Sequence, residues 1–485
     1  MDDNKRDIYS QIIKYTGIFG SIQGLSILTG VVRNKAIALL LGTQGMGLMS
    51  LLSTTVSFMS QATNLGLSFS GVREIAACKE KGDMEGIGRC AAVIRAWSLV
   101  AALIGAVVCA VTCKWIDKLT FTWGDHSLHY LLLSPAIAIM AVTAGETAIL
   151  KGLHRLKALA VAQLITAVGA LVITIPLLYF FGEAAIVPML TLTALTTMLV
   201  TIAYSYSTVR PQWPQWRKWR ATLLEGGPMV RLGLAFVAAA IMGSGTELVI
   251  RAYLNVRGDL DVVGLYNAGY MLAVTYAGMF FSSMESDYYP RLSAVNGDMR
   301  KVNELVGYQT EVSLTLVAPM MCVFILSLPV IVPLLFSSKF NAAIPMAQAM
   351  ALTMMCKAVS LPVNYVMLAK GDSRLYVCLE GLSYVMTISG VVIGYNCGGL
   401  VGTGIGLAIA YAVELAVNCL CLHIRYGLTL HGRLLAYFAI LLAMVITVYA
   451  STYLHDTALR WGIGIGMTAM CSAYSLRALK SNLRH

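Results

Sequence analysis

Apolar residues in this chain come in long runs, not in the strict alternation of a half-buried strand. The runs are mostly roughly 20 to 27 residues long, enough to cross ~30 Å of hydrocarbon at ~1.5 Å per residue. Fourteen of them are legible, at about 15–41, 46–71, 89–112, 128–150, 157–181, 184–208, 229–253, 262–285, 305–335, 342–368, 374–396, 400–423, 433–454 and 459–477. Short polar breaks separate them, none long enough to fold as a soluble domain. The first run is too long for a signal-peptide core and is followed by no small-residue cleavage pattern, so it predicts a retained helix. The pattern as a whole predicts an all-α, polytopic membrane protein of about 14 transmembrane helices.

Composition agrees. Of 485 residues, 58% are hydrophobic and 12% charged, with a mean hydropathy of +0.73. A soluble fold cannot bury that much apolar surface. The net charge of +11 would point to nucleic acid in a soluble protein. Here its distribution points to the positive-inside rule instead. With the N-terminus in the cytoplasm, the breaks on that side hold 25 of the 35 Lys and Arg residues, and the opposite breaks hold five. An even number of spans then puts both termini in the cytoplasm. The eleven cysteines form no CxxC pair and no His/Cys metal spacing, and most sit inside apolar runs as small apolar residues. No metal, cofactor or nucleic acid is expected.

The chain also repeats itself. Arg33 and Arg251, Gly47 and Gly264, Arg73 and Arg291, and Gly152 and Gly371 are separated by 217 to 219 residues. Arg73 and Arg291 are each followed by a Gly-Asp pair, Gly82-Asp83 and Gly297-Asp298. These landmarks predict an N-terminal six-helix lobe (1–210), a cytoplasmic interfacial linker (211–225), a C-terminal six-helix lobe (226–425) and a C-terminal helix pair (426–485). Six is even, so the lobes enter the membrane with the same polarity, as a parallel repeat. The linker carries PQWPQWRKWR (211–220), whose tryptophans and cations suit the membrane interface.

Five cations remain within or near the ends of spans: Arg33, Lys35, Arg95, Arg251 and Lys357. An intramembrane charge costs roughly 3 kcal/mol or more near the bilayer centre, so each needs a reason. Arg33 lies about eight residues, or ~12 Å, below the outer end of its span. It either snorkels to the interface or serves a site. Lys35 is closer to the edge and better placed to snorkel. Arg251 occupies the place equivalent to Arg33 in span seven, and the two would form a symmetric anion clamp, guanidinium being suited to two-point phosphate contact. Lys357 is mid-span and should face a cavity or an acid. Arg95, six residues into its span, is expected to reach the cytoplasmic interface. Among the acids, Glu247 stands four residues before Arg251, in the favourable order for an ion pair. Glu414 and Glu380 lie away from helix ends, and Glu146 and Glu311 lie near inner ends. Each is a candidate for carrying a coupling ion, since a buried carboxyl can hold a proton.

The stretch SILTGVVRNKAIALLLGTQGMGLMSLL (26–52), the two-lobe repeat, the KG after span four and GLVGTGIGLAIAYAVE (399–414) together resemble the polysaccharide flippases of the Wzx type. These belong to the multidrug/oligosaccharidyl-lipid/polysaccharide exporter superfamily. The resemblance implies two lobes around a cationic cavity and no catalytic activity. It implies translocation of undecaprenyl-diphosphate-linked oligosaccharide, an O-antigen repeat unit of lipopolysaccharide or similar, to the outer leaflet of a bacterial inner membrane. Ion-coupled antiport, a monomeric state, and glycan polymerase and chain-length proteins as partners come with it. Arg33 matches the first-helix arginine of the related lipid II flippases, which share a G-x-x-R before the helix exit. Their second arginine, about two turns earlier, is replaced here by Ile27. That puts lipid II itself in doubt as the substrate. The drug-exporter branch usually carries a first-helix acid, and none lies between Tyr15 and Leu41. An ion-coupled small-molecule exporter remains the alternative reading.

Overall fold

The computed structural model describes residues 2–121, 125–210 and 219–482. Most of the expected interfacial linker, residues 211–218, lies outside the described residues. Every regular element among them is helical. The chain divides into two compact units, 1–260 and 261–485. The first holds α1 (Asp2–Thr63), α2 (Leu67–Glu80), α3 (Met84–Thr120), α4 (Ser127–Gly152), α5 (Leu156–Phe181), α6 (Ile186–Thr208), α7 (Trp219–Glu225) and α8 (Gly227–Arg257). The second is formed by α9 (Leu260–Tyr270), α10 (Ala277–Ala294), α11 (Met299–Leu335), α12 (Ile344–Ala351), α13 (Thr353–Lys370), α14 (Ser373–Tyr426), α15 (Gly432–Ser451) and α16 (Thr457–Asn482).

Eight helical stretches among the described residues are long and apolar enough to cross a membrane. Three of them, of 40, 52 and 54 residues, are about twice the length one crossing needs. Each is interrupted where the hydropathy pattern breaks. At Gly42 the backbone turns to φ 69° and ψ −160°, and at Gly399 to φ 56° and ψ −142°. These left-handed turns suit glycine alone, and they are tight enough for helix to continue on both sides. The polytopic helical fold read from the sequence is therefore the fold observed, with the breaks at Gly42 and at Gly398–Gly399 reduced to glycine turns.

The Gly-Asp landmarks are helix stops and starts. Asp83 accepts a hydrogen bond from Gly86 N at 2.7 Å and caps α3. Asp298 accepts from Arg300 N at 3.0 Å and caps α11. In each case a carboxylate satisfies a backbone donor at a helix N-terminus.

In the first unit the core is built from Leu67, Ile75, Ala91, Ile94, Ala101 and Ile149, with Met229 and Val230 of α8 packed into it. The unit boundary therefore falls after α8, the helix that the repeat puts at the head of the second lobe. The reason is local: α8 packs along α1 and α2. Gly66, at the turn between α1 and α2, and Gly233 meet backbone to backbone, so a side chain on either would collide with the other. In the second unit the core gathers Tyr288, Val302, Val306, Val363, Met367, Leu379 and Leu422. Here α14 folds back on itself at Gly398–Gly399. Gly394 then faces Gly402, and Gly390 faces Gly406, closely enough that a methyl group on any of them would strike the opposite carbonyl. This is close helix packing through small residues four apart, and it accounts for the glycine-rich GLVGTGIGLAIAYAVE stretch.

Candidate functional site

The first unit encloses a cavity of about 650 Å³ between α1, α4, α5 and α6. One stripe from each helical segment lines it: Arg33, then Ser53, Ser57 and Ser60, then Thr143, Thr147 and Lys151, then Gln163 and Thr166, then Thr193 and Thr197. The spacing of three and four residues is that of one helix face. Its lining carries two cations, nine hydroxyls when Ser68 is included, and no carboxylate. Several hydroxyls donate to their own helix, as Thr143 does to Ile139 O at 2.8 Å and Thr197 to Thr193 O at 2.8 Å. Such a hydroxyl keeps its acceptor lone pairs for a ligand. Arg33 is half-buried on this wall, and its Nε is buried without a hydrogen-bond partner. A guanidinium on the wall of a polar cavity, with one of its N–H groups left without a protein acceptor, is suited to an anion arriving from elsewhere.

Arg251 is absent from the lining of that cavity. It is 6% exposed, donates from Nε to Ser50 Oγ at 2.9 Å, and pairs through Nη1 with Glu247 Oε2 at 3.0 Å. The neutralising pair expected from the i, i+4 spacing is thus formed, and it ties α8 to α1. Lys35 is half-buried and engaged in contacts of its own.

Arg95 corrects the sequence expectation. It does not extend into solvent: it is 5% exposed and grips Glu146, itself 2% exposed. Nε lies 2.8 Å from Oε1 and Nη2 lies 3.2 Å from Oε2, a two-point contact. Ser205 Oγ donates to Glu146 Oε2 at 2.6 Å, Val209 O accepts from Arg95 at 3.2 Å, and the Tyr206 ring lies 4.5 Å from the guanidinium carbon. Two charges that the sequence offered for separate reasons satisfy each other and bind α3, α4 and α6 together.

In the second unit the structure brings together three residues read from three different spans. Lys357 of α13 lies within electrostatic reach of both Glu380 and Glu414 of α14, which also feel each other. Glu380 takes hydrogen bonds from Tyr376 and Tyr384, and Glu414 is bonded to Ser383. The Phe281 ring centroid is 5.8 Å from Lys357 Nζ. Tyr411, beside Glu414, sits close to Tyr266 and Tyr270. Immediately after Tyr270 the chain makes a π-helical turn, Met271–Tyr276, a departure from α geometry that recurs at functional sites. Glu311 stands apart from this cluster, on a separate cavity formed by α11, α15 and α16.

The hydroxyl stripes of the first-unit cavity were not singled out in the sequence. Their signal is there, in Ser53-Ser57-Ser60 and Thr143-Thr147-Lys151 at helical spacing, but Ser and Thr occur so often in apolar helices that each stripe alone says little. Four stripes converging on one space say more.

The family model described as "Polysaccharide biosynthesis protein" matches residues 12–296. None of the curated proteins compared matches the chain. Among solved structures, an inward-facing multidrug resistance MATE family transporter of the MOP superfamily superposes with a TM-score of 0.66 at 16% identity. That match covers 82% of this chain and 94% of the other. The lipid II flippase MurJ in an inward closed conformation also gives 0.66, at 15% identity, covering 95% of this chain and 99% of the other. These likenesses establish the fold. With the family model spanning well over half of its length, the chain belongs to the polysaccharide biosynthesis protein family and is a multi-pass membrane protein with the MATE and MurJ fold.

Proposed function

We propose that this protein is a flippase for undecaprenyl-diphosphate-linked oligosaccharide, an O-antigen or similar repeat unit. It carries the headgroup from the cytoplasmic to the periplasmic leaflet of a bacterial inner membrane by alternating access. The observation that carries the reading is the first-unit cavity: Arg33 has an unpartnered, buried Nε in a space lined by hydroxyls and cations and by no carboxylate. A diphosphate cannot cross hydrocarbon alone, and a guanidinium meets it at two points. Serine and threonine oxygens suit sugar hydroxyls. Lys35, Arg251 and Lys357 are the further cations of the pathway. Arg251 serves there only once released from Glu247.

Coupling is assigned to the Lys357–Glu380–Glu414 cluster. One ammonium and two carboxylates sum to −1, and a single bound proton or sodium ion cancels it. A site whose net charge changes by one on binding a cation, inside a membrane, is a physical basis for driving a conformational step. Glu247, Glu146 and Glu311 are the remaining candidates. The first two are held by arginines, which leaves them less free to exchange an ion.

The runner-up, an ion-coupled exporter of small cationic molecules, needs a net acidic cavity, and this lining is basic. Vesicles containing the purified chain separate the two. They should expose a fluorescent oligosaccharide on a polyprenyl diphosphate to an impermeant quencher, and should build no gradient of a lipophilic cationic dye. Dye accumulation without headgroup translocation would favour the exporter.

A further inference from the structure

The second unit holds a cavity of about 950 Å³ that the transport reading does not use. It lies between α11, α15 and α16, which pack on one another. Glu304, Tyr308 and Glu311 contribute one face of α11. Arg433 and Tyr437 contribute the same spacing on α15, and Tyr474 and Arg477 come from the end of α16. All three segments are the ends that the cation count places at the cytoplasmic surface. The cavity therefore sits at headgroup level and not at the membrane centre. Its architecture is fixed from below and behind. Tyr437 Oη is hydrogen-bonded to Thr315 Oγ1 at 2.9 Å and its ring lies 5.5 Å from that of Tyr474. Asn303 Nδ2 donates to Thr429 Oγ1 at 3.0 Å and pins the connection into α15.

The charges are the informative part. Glu304, Arg433 and Arg477 line one cavity with opposite signs, yet form no ion pair among the described residues. Opposite charges held around a space without closing on one another leave both signs available to a ligand that carries both. The tyrosine rings add faces that attract an ammonium. Tyr308 is 65% exposed, and it and the apolar Ile440 also line the cavity.

We propose that this cavity binds the headgroup of a zwitterionic membrane phospholipid, a phosphate linked to a primary ammonium, as in phosphatidylethanolamine. Arg433 and Arg477 take the phosphate, which guanidinium meets with charge-assisted hydrogen bonds. Glu304 and Glu311 accept the N–H bonds of the ammonium, alongside the Tyr308 and Tyr437 rings. A purely anionic headgroup leaves the Glu304 carboxylate without a cation and is disfavoured. The lipid would brace the C-terminal helix pair against α11. The site is independent of the substrate and coupling assignments above.

Native mass spectrometry of the full chain, purified from bilayers of equal phosphatidylethanolamine and phosphatidylglycerol, tests this. The expected result is one retained ethanolamine lipid per chain, favoured over the glycerol lipid by about tenfold or more, the scale of a charged hydrogen bond. E304Q and E311Q should erase that preference while retaining either lipid. R433A with R477A should lose both lipids. Equal retention of the two lipids by the wild type overturns the proposal without recourse to any variant. So does an unchanged preference in both Gln variants. Complete displacement of the lipid by free phosphoethanolamine would show a soluble phosphoamine to be the ligand, and overturns the lipid assignment.

Discussion

Arg33 and Arg95 are two arginines in apolar helices with opposite surroundings: Arg33 Nε has no hydrogen-bond partner, and Arg95 is paired with an acid. Arg95 is spent on Glu146, a partner 51 residues away on another helix. Breaking such a buried pair leaves an uncompensated charge and costs about 3–5 kcal/mol, whereas replacing both partners by apolar residues of similar volume can be nearly neutral. Arg95→Met should therefore lower the thermal midpoint of the purified protein strongly, and Arg95→Met with Glu146→Leu should recover most of it. If the double variant is as unstable as the single, the pair is not what stabilises this corner. Neither residue's partner was readable from sequence, because their proximity comes from helix packing. Arg251 and Glu247 were readable as a pair, since i, i+4 spacing on one helix puts them side by side without any tertiary information. Glu380 and Glu414 fall between these cases: their depth in the spans was legible, their meeting with Lys357 was not. Glu414→Gln or Glu380→Gln should remove the dependence of headgroup translocation on an imposed ion gradient, with the protein still inserted at normal levels. Gradient dependence preserved in both variants would take the coupling role away from this cluster.

At the scale of elements, glycine sets the architecture of α14. The hairpin at Gly398–Gly399 brings Gly390 and Gly394 against Gly406 and Gly402. Gly394→Val places a branched side chain against a carbonyl that cannot retreat, because the next glycine pair holds the same contact. The expected outcome is loss of folded protein from detergent extracts, seen as aggregation on size exclusion. Gly398→Ala, which meets open space, should be tolerated. Equal behaviour of the two variants would contradict the packing account. The polytopic helical character was legible, because apolar run length is a strong signal. The fusion of adjacent spans across a single glycine was not, since no loop composition marks it. The serine and threonine stripes of the cavity were invisible for a related reason: a stripe gains meaning only from the helices it faces.

At the scale of the whole molecule, the repeat and the cation distribution are two separate regularities. The cations predict that the termini and the 211–220 segment face the cytoplasm, and that the break before α12 faces outward. In a background lacking the native cysteines, an impermeant thiol reagent on intact cells should label Ser338→Cys and spare Trp216→Cys. The reverse pattern would invert the orientation and with it the direction of transport. The repeat predicted a boundary at the 211–225 linker, and the compact units divide after α8. The sequence offset marks where the repeat begins. It carries no information about which unit that first helix packs into, and the Gly66–Gly233 contact decides this.

The central claim is that Arg33 meets a substrate diphosphate. The direct measurement is the rate at which vesicles containing the purified protein expose a fluorescent, polyprenyl-diphosphate-linked oligosaccharide to an impermeant quencher, compared across Arg33 variants. Arg33→Ala should slow translocation roughly 100-fold, the upper range for a charged hydrogen-bond contact. Arg33→Lys should fall between, because an ammonium keeps the charge and loses the planar two-point fit. Wild-type rates for a well-folded Arg33→Ala protein would contradict the claim and leave Arg33 as a snorkelling anchor.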